Sequence, residues 1–272
     1  MVFNLFVFLF GLFVGSFLNC VIYRLALPNF SFWKNLGGLK NRSFCPKCRH
    51  KLNWYDLVPV FSFLILRGKC RYCGEKISWQ YPLVELATAI LFTLIFNFSA
   101  FGGPTAGWQF YLNLITTLYL FIIASLLIII FVYDLKHYII PDKVLFPAIL
   151  LVLIFNFSPY GRSPEGGQFS ILSALGAAGF FLLIFLISRG TWLGFGDVKL
   201  VFLMGLILGF PNILAALFLA FFFGAIIGIG LIIFGKKKLK SEIPFGPFLI
   251  TGTFIAMLWG KELITWYLSF IT

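Results

Sequence analysis

Eight long runs of apolar residues, separated by short polar breaks, constrain this chain more than any other feature. A helix needs about 20 apolar residues to cross a bilayer, and most of the runs approach or exceed that length. Only 11% of the residues are charged, and a soluble fold of this size could not bury so much apolar surface. We therefore predict an all-α polytopic membrane protein with about eight transmembrane helices, near 2–23, 83–100, 109–133, 144–157, 169–188, 198–210, 212–234 and 246–268.

Two of these runs need separate interpretation. The first lacks the basic start and the small-residue cleavage site of a signal peptide, so we expect a retained helix. The run 198–210 is short and is followed by Pro211. It is compatible with a short spanning helix or with one half of a re-entrant pair.

Basic residues are concentrated in one segment, 24–80, which contains eleven Lys and Arg but only Asp56 and Glu75 as acids. Such a concentration marks a cytoplasmic loop of a membrane protein. Counting the runs from this loop places the N-terminus outside and the breaks 134–143, 189–197 and 235–242 in the cytoplasm. The expected partners of the charge are membrane lipids, because no nucleic-acid recognition module accompanies it. We expect three parts: a first helix (1–23), the basic loop (24–82) and a helical bundle (83–272).

Four cysteines in the basic loop form two CxxC pairs, Cys45 with Cys48 and Cys70 with Cys73. Two such pairs at this spacing are typical of a tetrahedral thiolate site for structural zinc, which has no open position for catalysis. Gly74 suits the tight turn that follows the second pair. The alternatives are two disulfides, which a reducing compartment disfavours, and a redox-active pair, which would need only one CxxC.

Two aspartates are predicted to lie at the same membrane face. Asp134 ends the run 109–133, and Asp197 precedes the run 198–210 within Gly-Phe-Gly-Asp. Two nearby carboxylates in a partly dry site share a proton, as aspartic proteases require. Gly194 and Gly196 would leave room for an extended peptide. The alternative is that each aspartate acts locally, Asp134 paired with Lys136, and Asp197 paired with Lys199 or capping a helix.

Other polar residues receive ordinary structural interpretations. Asp142 is expected to start a helix, and Glu85 to be a salt-bridge partner. His50 and His137 are expected at the solvated surface. Cys20, within the first apolar run, is expected to be a packed core residue.

Six blocks of residues, in order from residue 15 to about 250, resemble the type IV prepilin peptidase family. The match depends on their joint occurrence, since each block alone is a weak signal. Cys20 stands where we expect the family's valine. The blocks are 15–24 (GSFLNCVIYR), the two CxxC pairs, 77–86 (ISWQYPLVEL), 134–142 (DLKHYIIPD), 194–200 (GFGDVKL) and 243–247 (IPFGP).

The resemblance implies a bifunctional enzyme of the bacterial inner membrane, a GxGD-type aspartic protease. It would cleave the leader of prepilins or pseudopilins at the cytoplasmic face and then methylate the new N-terminal amine with S-adenosylmethionine. Asp134 and Asp197 would be the catalytic pair. The zinc ligands would be Cys45, Cys48, Cys70 and Cys73. The sequence indicates no site for the methyl donor.

Three other functions remain possible from the sequence. One is a general intramembrane protease without methylation. Another is a proton- or ion-coupled transporter that uses the same acids, although charges near mid-bilayer would suit it better. The third is a membrane anchor whose metal-binding loop docks a partner, for which the aspartates would be dispensable.

Overall fold

The structure of this protein is a computed structural model that describes residues 2–27, 43–100, 108–158, 164–234 and 243–270. Some of the basic residues used above for orientation lie outside the described residues, among them the lysines of 235–242. Contacts between residues divide the chain into two units, Met1–Ile129 and Ile130–Thr272. The sequence-based division at 23 and 82 stays a prediction.

Each of the eight predicted apolar runs forms a helix, which confirms the all-α fold. A short helix, α2, and a 3₁₀ turn at Trp54–Asp56 lie in the cysteine-containing loop. The helices are α1 (Val2–Leu25), α2 (Phe61–Ile65), α3 (Gln80–Ala100), α4 (Trp108–His137), α5 (Asp142–Asn156), α6 (Pro164–Ser188), α7 (Phe195–Leu208), α8 (Asn212–Ile233) and α9 (Gly246–Leu268).

Six of these helices, within the part of the chain that the structure describes, are long and apolar enough to cross a membrane. They are α1, α3, α4, α6, α8 and α9. The other two, α5 and α7, have 15 and 14 residues. At 1.5 Å per residue α7 rises about 21 Å, which is less than the roughly 30 Å of a hydrocarbon core.

In unit 1, α1 and α3 approach closely because α1 presents glycines to α3. A Cβ added to Gly11 would lie 2.6 Å from the Cα of Ala89, and one added to Gly15 would lie 2.7 Å from the Cα of Glu85. Small residues four apart allow such backbone contact between membrane helices. Beside this contact, the buried Asn19 side chain donates to the Tyr81 carbonyl at 3.1 Å.

In unit 2, α7 is the enclosed element. It packs against α5, α6, α8 and α9, and its residues from Leu203 to Leu208 are all buried. A helix that is apolar on all sides requires such enclosure. Gly205 permits contact with the backbone of Ala174 in α6, and the Asn156 side chain of α5 donates to the Leu206 carbonyl at 3.0 Å.

We predict that Gly11→Ala destabilises unit 1. The added Cβ would meet the α3 backbone, which cannot move aside as a flexible side chain can, and overpacking of this kind costs about 1–3 kcal/mol. The thermal unfolding midpoint of the detergent-solubilised protein should fall. The control is Gly176→Ala in α6, where a Cβ meets nothing within 4 Å and the midpoint should be unchanged or higher. Equal effects of the two substitutions would contradict the role of Gly11.

Candidate functional site

Asp134 lies in the last turn of α4, in unit 2. The helix ends three residues later because Tyr138 takes a left-handed conformation, with φ of 57°, and its N–H donates to the Asp134 carbonyl at 2.9 Å. The Asp134 residue is only 4% exposed. The end of α4 therefore presents a carboxylate that is largely shielded from solvent.

Asp197 lies in the first turn of α7, outside the six spanning helices. Its carboxylate accepts a hydrogen bond from the Gly194 N–H at 3.2 Å, as an acidic side chain often does at a helix start. Burial and, to a smaller extent, the charge of Asp134 raise the pKa of Asp197 to about 6, although the hydrogen bond from the Gly194 N–H lowers it. The two carboxylates are therefore near enough to influence each other's ionisation.

Ile140 and Gly246 join the elements that carry these two aspartates. A Cβ added to Gly246, at the start of α9, would lie 2.5 Å from Oδ2 of Asp134 and 3.6 Å from Cδ1 of Ile140. A Cβ added to Gly196 would lie 3.3 Å from the Cβ of Ile140. The first turns of α7 and α9 thus approach the same side chain, and Gly246 leaves the space that the Asp134 carboxylate occupies.

Gly246 is a part of the site that was not predicted from the sequence. Its only signal was the block 243–247, in which no residue had a role. Gly196 was predicted to leave room for a peptide. The structure shows a second reason for a glycine at this position, because an added Cβ would lie against the side chain of Ile140.

The local alternatives for the two aspartates are only partly realised. Asp197 does bond back to Gly194, but Gly194, and not Asp197, is the N-cap of α7. Lys199 pairs with Asp142, which starts α5 as predicted, and not with Asp197. Among the described residues neither Asp134 nor Asp197 forms an ion pair, so the alternative pairing with Lys136 or Lys199 is not realised.

The four cysteines of the two CxxC pairs come together in unit 1. Their sulfur atoms all lie within 4.8 Å of one another, and Sγ of Cys45 is 3.9 Å from Sγ of Cys73. A tetrahedral zinc site with Zn–S bonds of about 2.3 Å places its sulfurs about 3.8 Å apart. All four are free thiols in the structure, so the residues present fit a metal ion.

Both pairs have the same backbone arrangement. In the first pair, the backbone carbonyl of Cys45 accepts a hydrogen bond from the Arg49 N–H at 2.9 Å, and the Cys45 N–H donates to the His50 carbonyl at 3.0 Å. In the second pair, the backbone carbonyl of Cys70 accepts from the Gly74 N–H at 2.9 Å, and the Cys70 N–H donates to the Glu75 carbonyl at 2.8 Å. Single antiparallel bridges flank them, Phe44 with Lys51 and Lys69 with Lys76. Two equivalent turns thus direct four sulfurs to one centre.

The electrostatics of the cluster favour a bound cation. Burial opposes ionisation of Cys45, but the Cys48 and Lys47 N–H groups lower the pKa of Cys45 to about 7. The Glu75 N–H favours a thiolate at Cys73, yet desolvation and the three neighbouring thiols outweigh it and raise the pKa of Cys73 to about 12. A divalent cation at the centre would stabilise all four thiolates together.

An ion pair beside the cluster stabilises the loop. Arg71 Nε donates to Oδ1 of Asp56 at 2.9 Å, and the Tyr72 hydroxyl donates to Oδ2 at 2.9 Å. Burial disfavours the Asp56 carboxylate, but these hydrogen bonds and one from Asn53 keep its pKa below the ordinary value. Asp56 is therefore an ionised, fully bonded structural residue.

A cavity of about 340 Å³ in unit 1 lies between α1, the cysteine-containing loop and α3. Glu85 lines it and is 6% exposed, and its Oε2 accepts the Val60 N–H at 2.8 Å. The predicted salt bridge of Glu85 is wrong, since no described Lys or Arg pairs with it.

Cys20, expected in the core, is half-buried and also lines this cavity. His50 and His137 are exposed, as predicted.

Comparison with known proteins identifies the family. Residues 9–98 match the Bacterial Peptidase A24 N-terminal domain, and residues 121–229 match the Type IV leader peptidase family. The chain belongs to the type IV leader peptidase family. This confirms the resemblance that the six sequence blocks predicted. The first match covers both CxxC pairs and Glu85, and the second covers Asp134 and Asp197.

Individual members of the type IV leader peptidase family match nearly the whole chain. Relatives named prepilin leader peptidase/N-methyltransferase include that of Aeromonas salmonicida, 33% identical over 97% of this chain and 94% of the relative. That of Bacillus subtilis is 34% identical over 96% of each chain. That of Legionella pneumophila is 31% identical over 96% of this chain and 93% of the relative. No solved structure matches the chain at a significant level.

We predict opposite effects of substitution at equivalent positions of the two cysteine turns. Arg49 and Gly74 both have positive φ, 56° and 72°, which costs a side-chain-bearing residue about 1–2 kcal/mol. Arg49→Gly should stabilise its turn, and Gly74→Ala should destabilise the other. The measurement is the rate at which a thiol reagent modifies the cysteines with zinc present. The prediction fails if the thiol reagent modifies the cysteines of the Gly74→Ala variant no faster than those of the parent protein.

Proposed function

We propose that this protein is a membrane aspartic endopeptidase that removes the leader of type IV prepilins and pseudopilins and then N-methylates the new N-terminal residue. The observation that carries the proposal is the pair Asp134 and Asp197. Two helix ends in unit 2 bring these carboxylates near enough for one charge to raise the pKa of the other. The names of the relatives supply the substrate class and the second activity.

Hydrolysis by this pair needs one carboxylate ionised and the other protonated. The ionised group takes a proton from water while the water oxygen bonds to the peptide carbonyl carbon, and the protonated group donates to the carbonyl oxygen. The carbon–nitrogen bond of the resulting diol then breaks, and the nitrogen takes up the proton held by the first carboxyl group. The second carboxylate takes back a proton from one hydroxyl of the diol as the carbonyl group re-forms. A raised pKa at Asp197 suits a shared proton, because the pair titrates as a unit.

The position of the aspartates in their helices supports a substrate cut near the membrane face. Asp134 lies one turn from the end of a spanning helix, and Asp197 begins a helix too short to span. A prepilin is a transmembrane helix with a basic leader, so its cleavage site would lie at this depth.

We propose that this face is cytoplasmic, with the N-terminus outside, in the bacterial inner membrane. Anionic lipid headgroups would contact the basic loop.

We propose that the metal held by the four cysteines is zinc. Four thiolates at tetrahedral spacing are characteristic of structural zinc and leave no open coordination position. The metal would stabilise the loop between α1 and α3, while hydrolysis stays with the aspartates. Methylation uses S-adenosylmethionine, which supplies the methyl group.

We expect Asp134→Asn and Asp197→Asn each to lower leader cleavage by at least about 10²-fold, because an amide cannot exchange the proton that the pair shares. The measurement is cleavage of a prepilin by the purified variants, with thermal unfolding as the check on folding. The matched control is Glu262→Gln, an exposed acid of α9, which should cleave normally. Near-normal cleavage by either aspartate variant would remove the assignment of the pair.

Gly246→Ala tests the geometry around Asp134 without changing any ionisable group. The added Cβ would lie 2.5 Å from Oδ2 of Asp134, so the carboxylate must shift, and a misplacement of about 1 Å can cost about 10²-fold in rate. We expect at least a tenfold lower kcat in a folded protein. Gly230→Ala in α8, where a Cβ meets nothing within 4 Å, should retain activity. Equal kcat in both variants would be evidence against this positioning of Asp134.

Metal analysis tests the zinc proposal. The purified protein should contain about one zinc ion per chain, and Cys45→Ser with Cys48→Ser should abolish binding, since two thiolates cannot close a tetrahedral site. Cys20→Ser should retain the metal because Cys20 is not part of the cluster. Absence of metal from the parent protein, or disulfide-bonded CxxC pairs in the cell, would contradict the proposal.

A further inference from the structure

Lys199, two residues after Asp197, joins the start of α7 to the start of α5. Its ammonium group pairs with Oδ1 of Asp142, in the first turn of α5. The Lys199 side chain is 22% exposed and that of Asp142 is 51% exposed, so the protein covers most of the cation. The proton transfers of the proposed hydrolysis make no use of this ion pair.

Two aromatic rings hold the Lys199 ammonium group between the two helices. Its Nζ lies 5.5 Å from the ring centroid of Phe146 in α5 and 5.4 Å from that of Phe195 in α7. Both distances are within the roughly 6 Å at which a ring attracts a cation. Phe195 and Lys199 are four residues apart, so they share one face of α7. Asp142 and Phe146 have the same spacing on α5. One face of each helix therefore meets at the cation, which has three partners where a single surface ion pair would be weak.

This contact is important because the apolar pattern of α7 does not define how the helix is turned about its axis. The helix is apolar on all sides, and a rotation would exchange one apolar face for another. A specific polar contact in an apolar interface can fix such a register. Near the far end of α7, the Asn156 side chain supplies a polar contact to the Leu206 carbonyl. Near its start, Lys199 supplies another.

The rotation of α7 decides where the Asp197 carboxylate points. Successive residues of a helix are about 100° apart, so Asp197 and Lys199 point in different directions. Side chains extend about 5–6 Å from the axis, so a rotation of about 20° would move the carboxylate by about 2 Å. A misplacement of about 1 Å can cost about 10²-fold in rate. Holding Lys199 against α5 therefore also holds the direction of Asp197.

The start of α5 is in turn connected to the end of α4, which carries Asp134. α4 ends at His137 and α5 begins at Asp142, so the connection is short. Within it, Ile140 is buried, and a Cβ added to Gly196 would lie 3.3 Å from the Ile140 Cβ. The segment that presents Asp142 to Lys199 thus also packs against the first turn of α7.

We propose that Lys199, paired with Asp142, is a positioning residue that sets the rotation of α7 and thereby the placement of Asp197 relative to Asp134. This inference rests on the proposed peptidase function, because it assigns the ion pair a part in that reaction without contact with the substrate. The ion pair exchanges no proton with the substrate and forms no bond to it. Its loss should leave α7 enclosed by the surrounding helices but free to turn.

Cleavage of a prepilin by purified full-length variants in detergent tests this role. Lys199→Met keeps a long side chain and removes its charge. We expect kcat to fall at least about tenfold and KM to change by less than about threefold, because a misplaced catalytic group weakens the transition state more than substrate binding. Lys199→Arg keeps the charge and should recover most of the lost kcat. The control is Lys261→Met, at an exposed position of α9, which should cleave as the parent protein does.

Asp142→Asn covers the case in which Lys199→Met does not fold, since Asp142 is half-exposed and the amide keeps its shape. It should lower kcat in the same way, with thermal unfolding as the check on folding. The variant with both substitutions should have about the kcat of the slower single variant, because both residues act through one contact. The inference is overturned if an intact single variant keeps the parent kcat, or if the two losses multiply.

A cross-linking measurement without substrate separates this inference from the proposed function. Ile140→Cys with Gly196→Cys introduces two thiols whose Cβ atoms would be 3.3 Å apart, close to the roughly 3.5–4.5 Å of a disulfide. Adding Lys199→Met should slow formation of this disulfide in isolated membranes by at least about fivefold, because the geometry of the bond is strict. Adding Lys261→Met should not change the rate.

The outcomes of the cross-linking measurement and of the cleavage assay are independent. A rate of disulfide formation that Lys199→Met leaves unchanged would overturn the inference. Failure of the parent protein to cleave any prepilin would contradict the proposed function alone. A rate that depends on Lys199 would then still support its role in positioning the first turn of α7.

Discussion

The enclosure of α7 is the constraint on which the site in unit 2 depends. This helix is too short to cross a bilayer alone and apolar on all sides, so its position is set by the helices that surround it. Its first turn carries Asp197, and the first turn of α9 places Gly246 against the Asp134 carboxylate. Because protein contacts and not lipid surround α7, its polar end can be held in a defined position with few local bonds.

The close contact of α1 and α3 has a corresponding role in unit 1. Gly15 lets the two helices approach at the Cα of Glu85, and this approach leaves the Glu85 carboxyl group beside the Ser16 hydroxyl and the Val60 N–H. The packing that stabilises the helix pair therefore also buries an acidic side chain. The metal-binding loop completes the cavity around that acid.

Local sequence signals predicted elements and clusters better than they predicted individual partners. The eight apolar runs, the start of α5 at Asp142 and the convergence of four cysteines all follow from composition and spacing. The expected salt bridge of Glu85 was wrong, and the alternative pairing of Asp197 with Lys199 is not realised. Lys199 lies two residues from Asp197 but pairs with Asp142, since positions two apart on a helix point in different directions. Spacing along the chain does not identify the nearest charge when helices from distant segments meet.

The sequence by itself determined that this chain crosses a membrane as helices, and which residue types carry its chemistry. Runs of apolar residues require helices in lipid, because every backbone polar group must be bonded within its own segment. Only the tertiary structure decided that α7 is enclosed, that Gly246 lies against Asp134, and that Glu85 lines a cavity. Each of these facts joins residues far apart in the chain. They depend on which helix faces meet and how closely, and that is set by packing across the whole unit.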